Sequence, residues 1–166
     1  MTTVTITGNT LSTNDIGIRV GDGAHVLASN FTIQNNCISG NTTYGIQNQH
    51  SSEVVTAEEN AWGDATGPLH TLTNVGGLGD EVSDNVDYYP WYPDCSYTTL
   101  VYKPVRNVTI DAYYDNIKPA VAEATGGDLI TVDPGTYVEA GQIFIDKDLT
   151  IKGIGGSKPV VNTDTN

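Results

Sequence analysis

The chain has 166 residues, 7 basic and 20 acidic, for a net charge of −13. That charge argues against nucleic acid, which needs clustered Lys and Arg, and against an anionic membrane surface; cations, basic partners or simple solubility fit it better. No apolar run approaches the ~18 residues of a membrane span. Thr (22), Asn (14) and Gly (18) are abundant, and since Thr favours strands while Asn and Gly favour turns, the composition predicts a β protein.

The segment from Met1 to Asn9 reads as a strand, not as a signal peptide, because it lacks a basic start and an apolar stretch. On this reading Met1 does not mark a natural domain start. Val4–Leu11 (VTITGNTL) recurs as Phe31–Ile38 (FTIQNNCI) and, more loosely, as Val55–Trp62 (VTAEENAW). Ile16-Gly17-Ile18 recurs as Tyr44-Gly45-Ile46. A unit of two short strands cannot bury its apolar face alone, whereas stacked copies bury a continuous column. The expected columns are Ile6 on Ile33, Leu11 on Ile38 on Trp62, and Ile18 on Ile46. Asn9, Asn36 and Asn60 align as a ladder whose amides hydrogen-bond along the stacking axis, and Asn tolerates the left-handed backbone of a sharp turn. Arg19 alternates with Ile18 and Val20, so it points outward with Gln47 stacked on it.

From about residue 63 to 99 no regular period survives. Gly63–Pro68, a Gly-rich loop, an acidic stretch and Tyr88–Pro93 read as an irregular solenoid end, with the aromatics plugging the core. Cys37 and Cys95 are 58 residues apart. They read as two separate thiols, with one disulfide as the alternative, and the absence of CxxC or a Cys/His cluster argues against zinc.

A new piece begins near residue 107. Val108–Ile110 reads as a short strand. Residues 115–124 read as a helix, with Ile117, Val121 and Ala124 on one face, Asp115 or Asn116 as cap, and Gly126-Gly127 as its end. Strands follow at Leu129–Val132, Gln142–Ile145, Leu149–Lys152 and Pro159–Val161.

These residues resemble the right-handed parallel β-helix superfamily with pectate-lyase-like repeats. Ile33–Ile38 with Tyr44–Ile46 is similar to its coil repeat. Asn60–Asp64 with Thr66–Pro68, Gly79–Val82 and Val86–Trp91 resembles the terminating segment of many prokaryotic secreted members. Gly127–Val132, Pro134–Glu139 and Asp146–Gly153 resemble the opening of such a domain, in which a short helix caps the first coil. The ending piece comes first and the opening piece last. The expected architecture is therefore all-β: a right-handed parallel β-helix in two half-solenoid pieces with one short capping α-helix. Its boundaries are 1–95 for terminal coils and end cap, 96–106 for a linker, and 107–166 for the first coils of the next helix.

The chemistry that the resemblance implies is missing. Pectin methylesterases would carry two aspartates and an arginine in later coils, and nothing here matches. Pectate lyases would carry Ca²⁺-binding acids beside a basic residue, but Arg19 and Arg106 have no acidic cluster beside them in sequence. His25, His50 and His70 lie in loop-like sequence and read as surface histidines. Glu58 and Glu59 are adjacent on a strand, face opposite sides, and cannot form an acid/base pair with each other. Asp80, Glu81, Asp84 and Asp87 form the densest acid cluster, with Ca²⁺ as the candidate cation and a solvated loop as the plainer reading. Sequons occur at Asn30, Asn41 and Asn107. No catalytic residue and no other cofactor is assigned. The expected role is an extracellular or cell-surface structural protein that self-assembles head to tail into a filament. Strand addition would join the C-terminal coils at Val160 and Val161 of one copy to Val4, Ile6 and Leu11 of the next. The alternative is a carbohydrate-binding or polysaccharide-processing β-helix module, or an adhesin, with glycans as partners.

Overall fold

The computed structural model describes residues 3–21 and 28–164; His25 lies outside them. Among the described residues strands make up 38% against one α-helix, and they wind as a β-solenoid of about six turns. The chain divides into two compact units, Met1–Val101 and Tyr102–Asn166.

In the first unit, three short strands make each complete coil. The first coil holds β1 (Val4–Thr7), β2 (Thr10–Ser12) and β3 (Ile16–Val20); the second holds β4 (Phe31–Gln34), β5 (Cys37–Ser39) and β6 (Tyr44–Asn48). Pairing is parallel, with Ile6 opposite Ile33, Leu11 opposite Ile38 and Ile18 opposite Ile46. This is the register that the repeat predicts. Arg19 Nε donates to Gln47 Oε1 at 2.9 Å on the outer surface.

The third coil starts at β7 (Val55–Thr56), continues through Ala61 opposite Cys37, and closes at Val82 opposite Ile46. A fourth starts at β8 (Val86–Asp87), paired with β7, and reaches Tyr92 opposite Ala61. The period therefore resumes after Gly79, which corrects the expectation of an irregular end from 63 onward. Residues 63–79 fold on themselves, bridging Pro68 to Gly79 and His70 to Asn74. Asp80 N–H then donates to Trp62 O at 2.8 Å, so the chain re-enters where it left. The inserted loop hid the repeat from a fixed-period search.

Ile33, Ile38, Ile46, Val55, Ala57 and Trp62 form the fully buried centre of this unit. Trp91 and Tyr88 are buried at the fourth coil, where Trp91 Nε1 donates to Ala65 O at 3.2 Å. Gly67, at φ +82°, lies against the Trp91 ring, and a Cβ there would sit 2.5 Å from it. Cys37 and Cys95 are joined by a disulfide with Cα atoms 5.3 Å apart, not left as separate thiols. Sequence separation misleads here, because the solenoid brings Cys37, Ala61 and Tyr92 into one column. Val101 pairs antiparallel with Trp91, so half of the expected linker belongs to this unit.

The second unit opens with β9 (Val105–Asn107) and β10 (Ala112–Tyr114), an antiparallel hairpin. The strand expected at Val108–Ile110 is instead the turn between them. Val105 and Asn107 alternate inward, and Asp111 takes the left-handed backbone at φ 56° that reverses the chain. The helix α1 spans Ile117–Glu123 and buries Ile117, Ala120 and Val121. Asn116 holds the cap position without a side-chain bond. The first-turn donors go instead to the buried Glu139 carboxylate, which accepts from Ile117 N–H at 2.8 Å and Lys118 N–H at 3.2 Å. At the other end Lys147 Nζ donates to Ala124 O at 2.9 Å, a cation on the exposed carbonyls of the last turn.

Then come β11 (Leu129–Val132), β12 (Thr136–Glu139), β13 (Thr150–Gly153) and β14 (Val160–Thr163). β11 pairs antiparallel with β9 but parallel with β13, and β12 pairs parallel with β14. Gln142–Ile145, expected as a strand, forms none: Phe144 and Ile145 are exposed and only Ile143 packs on the core. β13 and β14 are solvent-exposed along their whole length.

Candidate functional site: amide ladders and an open coil edge

The expected Asn column is a directional hydrogen-bond ladder. Asn9 N–H and Nδ2 both donate to Asn36 Oδ1 at 3.0 Å. Asn36 N–H and Nδ2 donate in turn to Asn60 Oδ1 at 2.9 and 3.0 Å. Asn36 and Asn60 are fully buried. Asn60 Nδ2 also reaches Ile33 O and Ala57 O, each at 2.7 Å. The left-handed backbone falls on the residue before each rung, at Gly8, Asn35 and Glu59, and not on the ladder asparagine. That bend turns the next N–H and side chain together toward the neighbouring coil. The fourth rung, opposite Asn60, is Trp91, because Ala61 pairs with Tyr92. An indole ends the ladder there.

Five residues further along each coil runs a second ladder, which sequence reading missed. Asn14 N–H and Nδ2 donate to Asn41 Oδ1 at 3.1 Å. Asn41 N–H and Nδ2 donate to Asp80 Oδ2 at 3.0 and 2.6 Å, while Gly40 N–H donates to Asp80 Oδ1 at 2.7 Å. The signal was present: Asn9/Asn14 and Asn36/Asn41 share one spacing within their coils.

This assignment disperses the acid cluster. Asp80 terminates the second ladder. Asp84 lies 3.2 Å from His70 Nε2. Asp87 hydrogen-bonds Glu58, whose carboxyl is raised above its ordinary pKa by burial first, then by Asp87 and Glu59. Glu81 contributes its backbone carbonyl to Gly45 N–H at 2.8 Å. Among the described residues, no three His, Cys, Asp or Glu side chains converge on one metal position. Consecutive acids in a coiled turn point at different neighbours.

His70 is not a surface histidine; it is 6% exposed. Its Nδ1 accepts from Thr73 N–H at 3.1 Å and lies 2.8 Å from Thr73 Oγ1, which places the ring proton on Nε2 facing Asp84. Thr73 Oγ1 in turn lies 2.6 Å from Tyr88 Oη. Hydroxyl, imidazole and carboxylate thus line up, but a backbone donor already occupies the lone pair a general base would use. The set ties the excursion to the fourth coil. The half-buried His50 packs its ring against Gly21. Asn107 is buried and donates to Asp128, and Asn41 is committed to its ladder, so neither sequon side chain is free in the fold.

In the second unit, Asp128 Oδ2 accepts from Asn107 Nδ2 at 2.8 Å and from Thr125 N–H at 2.9 Å. These bonds, Asn107 foremost, hold its carboxyl below the ordinary value. The stability that Asp128 contributes is therefore present above the unfolded pKa of about 4 and lost as pH falls through the lower folded value. Urea unfolding followed from neutral pH downward should show this loss, and Asp128→Asn should lower neutral-pH stability and flatten the acid limb. An unchanged acid limb in that variant would discard the assignment.

The first coil offers Val4, Ile6 and Leu11, all half-buried, and among the described residues its β1 and β2 pair only with β4 and β5. The last coil leaves Ile151, Ile154, Val160 and Val161 at 37–52% exposure, and among the described residues β13 and β14 pair only with β11 and β12. Comparison with known protein families, characterised proteins and solved structures finds no match to this chain.

Proposed function

We propose that the chain is an extracellular structural subunit of the pectate-lyase-like parallel β-helix type that assembles head to tail, and that it carries no catalytic centre. The observation that carries this reading is the pair of one-sided coils. β13 and β14 present unpaired backbone groups beside exposed Ile151, Val160 and Val161, and β1 presents the matching parallel edge beside Val4 and Ile6. Unpaired edges recruit strands, and a heterologous contact that does not close gives a filament. The other coil in each unit is already covered, by Trp91 and Tyr88 in the first and by the β9–β10 hairpin with α1 in the second. The Cys37–Cys95 disulfide supports an oxidising compartment.

Sedimentation over a concentration series, with negative-stain imaging, tests the reading. Linear oligomers that lengthen with concentration are expected. Added salt should favour them, because each copy carries −13. A single monomeric species at every concentration and salt level would overturn it.

A further inference from the structure

The Asn-x-Thr triplets that begin at Asn30, Asn41 and Asn107 are alike in sequence, and the fold treats them unequally. Such a triplet is the acceptor of an N-linked glycan: the amide nitrogen takes the sugar, and the hydroxyl two residues on presents it. The product must then fold around a bulky polar group on Nδ2.

Two of the triplets cannot. Asn41 Nδ2 donates to Leu11 O at 2.9 Å and to Asp80 Oδ2 at 2.6 Å, and Thr43 Oγ1 donates to Asp15 Oδ1. A sugar on this nitrogen leaves it one hydrogen for two acceptors and stands between stacked coils. Asn107 is fully buried and its Nδ2 donates to Asp128 Oδ2 at 2.8 Å. Its Oδ1 accepts from Thr109 N–H at 3.1 Å, and Thr109 Oγ1 accepts from Leu129 N–H at 3.0 Å. A sugar on Asn107 would have to leave through the packed interior.

The third triplet is open. Asn30 ends the short turn Ala28–Asn30 just before β4, and among the described residues no hydrogen bond holds its amide or the Thr32 hydroxyl. Phe31, between them, packs on the core. Thr32 alternates with the buried Ile33 and pairs with Thr5 and Thr56, so its hydroxyl stands on the outer face of this sheet. Ser29 N–H and Oγ each reach Glu53 Oε2 at 3.4 Å, which carries the strand register back to this corner. Asn30 therefore stacks on Val54, a side chain 48% exposed. A sugar here breaks no bond, and its C–H face covers apolar surface that is otherwise wet.

We infer that Asn30 is an N-glycosylation site, and that it is the one triplet of the three whose glycan the folded chain accommodates. Asn30 Nδ2 attacks C1 of an oligosaccharide carried on a polyprenyl phosphate. The N–C1 bond forms, the C1–O bond to phosphate breaks with its electron pair staying on the phosphate, and the amide gives up one proton. This rests on the extracellular reading above, because such a donor is met during export.

The chain is produced behind a cleavable secretion leader in a eukaryotic secretory cell. The soluble product with its Cys37–Cys95 bond intact is treated with peptide-N-glycosidase in water labelled with heavy oxygen, which marks each formerly glycosylated Asn as a heavy Asp. The mark should fall on Asn30 alone. Thr32→Val should abolish it and Thr32→Ser should keep it, with the fold intact in both. A bare Asn30, or a mark on Asn41 or Asn107 in the folded product, overturns the inference. Should the parent chain be retained in the cell, Thr43→Ala with Thr109→Ala leaves the Asn30 triplet alone; that variant should be secreted with its glycan, and its retention overturns the inference too. The leader fixes the compartment, so failure here leaves the head-to-tail reading standing, and a glycosylated chain that never assembles defeats that reading alone.

Discussion

Asn60→Ala should lower the stability of the first unit by about 3–4 kcal/mol in urea unfolding, since each buried polar group left unpaired costs about 1–3 kcal/mol. Asn60 is fully buried and serves two coils at once. Removing its side chain orphans Asn36 N–H, takes from Asn36 Nδ2 one of its three acceptors, and strips Ile33 O and Ala57 O of the Asn60 amide donor. Glu58 O, 3.2 Å away, loses a weaker contact. The void is small, and a water entering it has fewer groups than the amide to satisfy the set. Asn60→Asp keeps the acceptor for Asn36 but sets a carboxylate against carbonyl oxygens, so it should also destabilise. Asn9→Ala, at the exposed end, should cost under about 1 kcal/mol. Equal effects at Asn9 and Asn60 would mean that burial does not set the ladder's strength.

Opening the Cys37–Cys95 bond should cost about 4 kcal/mol, the chain-entropy value for a closed loop of this length. The bond ties β5 of the second coil to the segment after Tyr92, so it spans the third and fourth coils with the 63–79 excursion between. Without it the unfolded chain regains the freedom of that whole stretch. Unfolding with and without reductant, and in the double variant Cys37→Ala with Cys95→Ala, checks the value. The second unit holds no cysteine and should unfold identically in both conditions. A reductant effect on the second unit alone, or none on either, would reject the expectation.

The coil register was legible because stacking repeats one chemical requirement at one place. Ile6 over Ile33 and Asn36 over Asn60 each meet the same neighbour in every turn, and that leaves a period in the chain. The fourth coil was not legible. Val86 pairs with Val55, but a loop that satisfies its own backbone separates them and shifts the offset. Long-range pairs left no pattern at all. Glu139 caps α1 from 22 residues away, and His70 meets Asp84 across 14, with no periodic neighbour to flag either. Locally attractive caps such as Asn116 lost to a buried carboxylate already aimed at the first turn. The acid cluster is the opposite case. Closeness in sequence means closeness in space only on one face, and Asp80, Asp84 and Asp87 leave a coiled turn toward three different partners.

The excursion between Gly63 and Gly79 has a consequence for how such a chain tolerates change. It departs at Trp62 and returns at Asp80, which meet through one backbone bond, and between them Ala65, Leu69, His70 and Thr73 are bonded to Trp91, Val82, Asp84 and Tyr88 of the later coils. Inside it, Pro68 and Gly79 bridge again and His70 bridges Asn74, so the exposed tip at Val75 and Gly76 lies beyond two closed necks. Loop-closure entropy rises only about 0.6 kcal/mol per doubling of length. Residues can therefore be gained or lost at that tip without shifting a single rung. A one-residue insertion between Ile33 and Asn36 has no such refuge, because it would move an amide out of line with both neighbours. The rungs hold the first unit's coils in register and this doorway takes the change they cannot, so diversity in length and surface chemistry has a built-in place to collect.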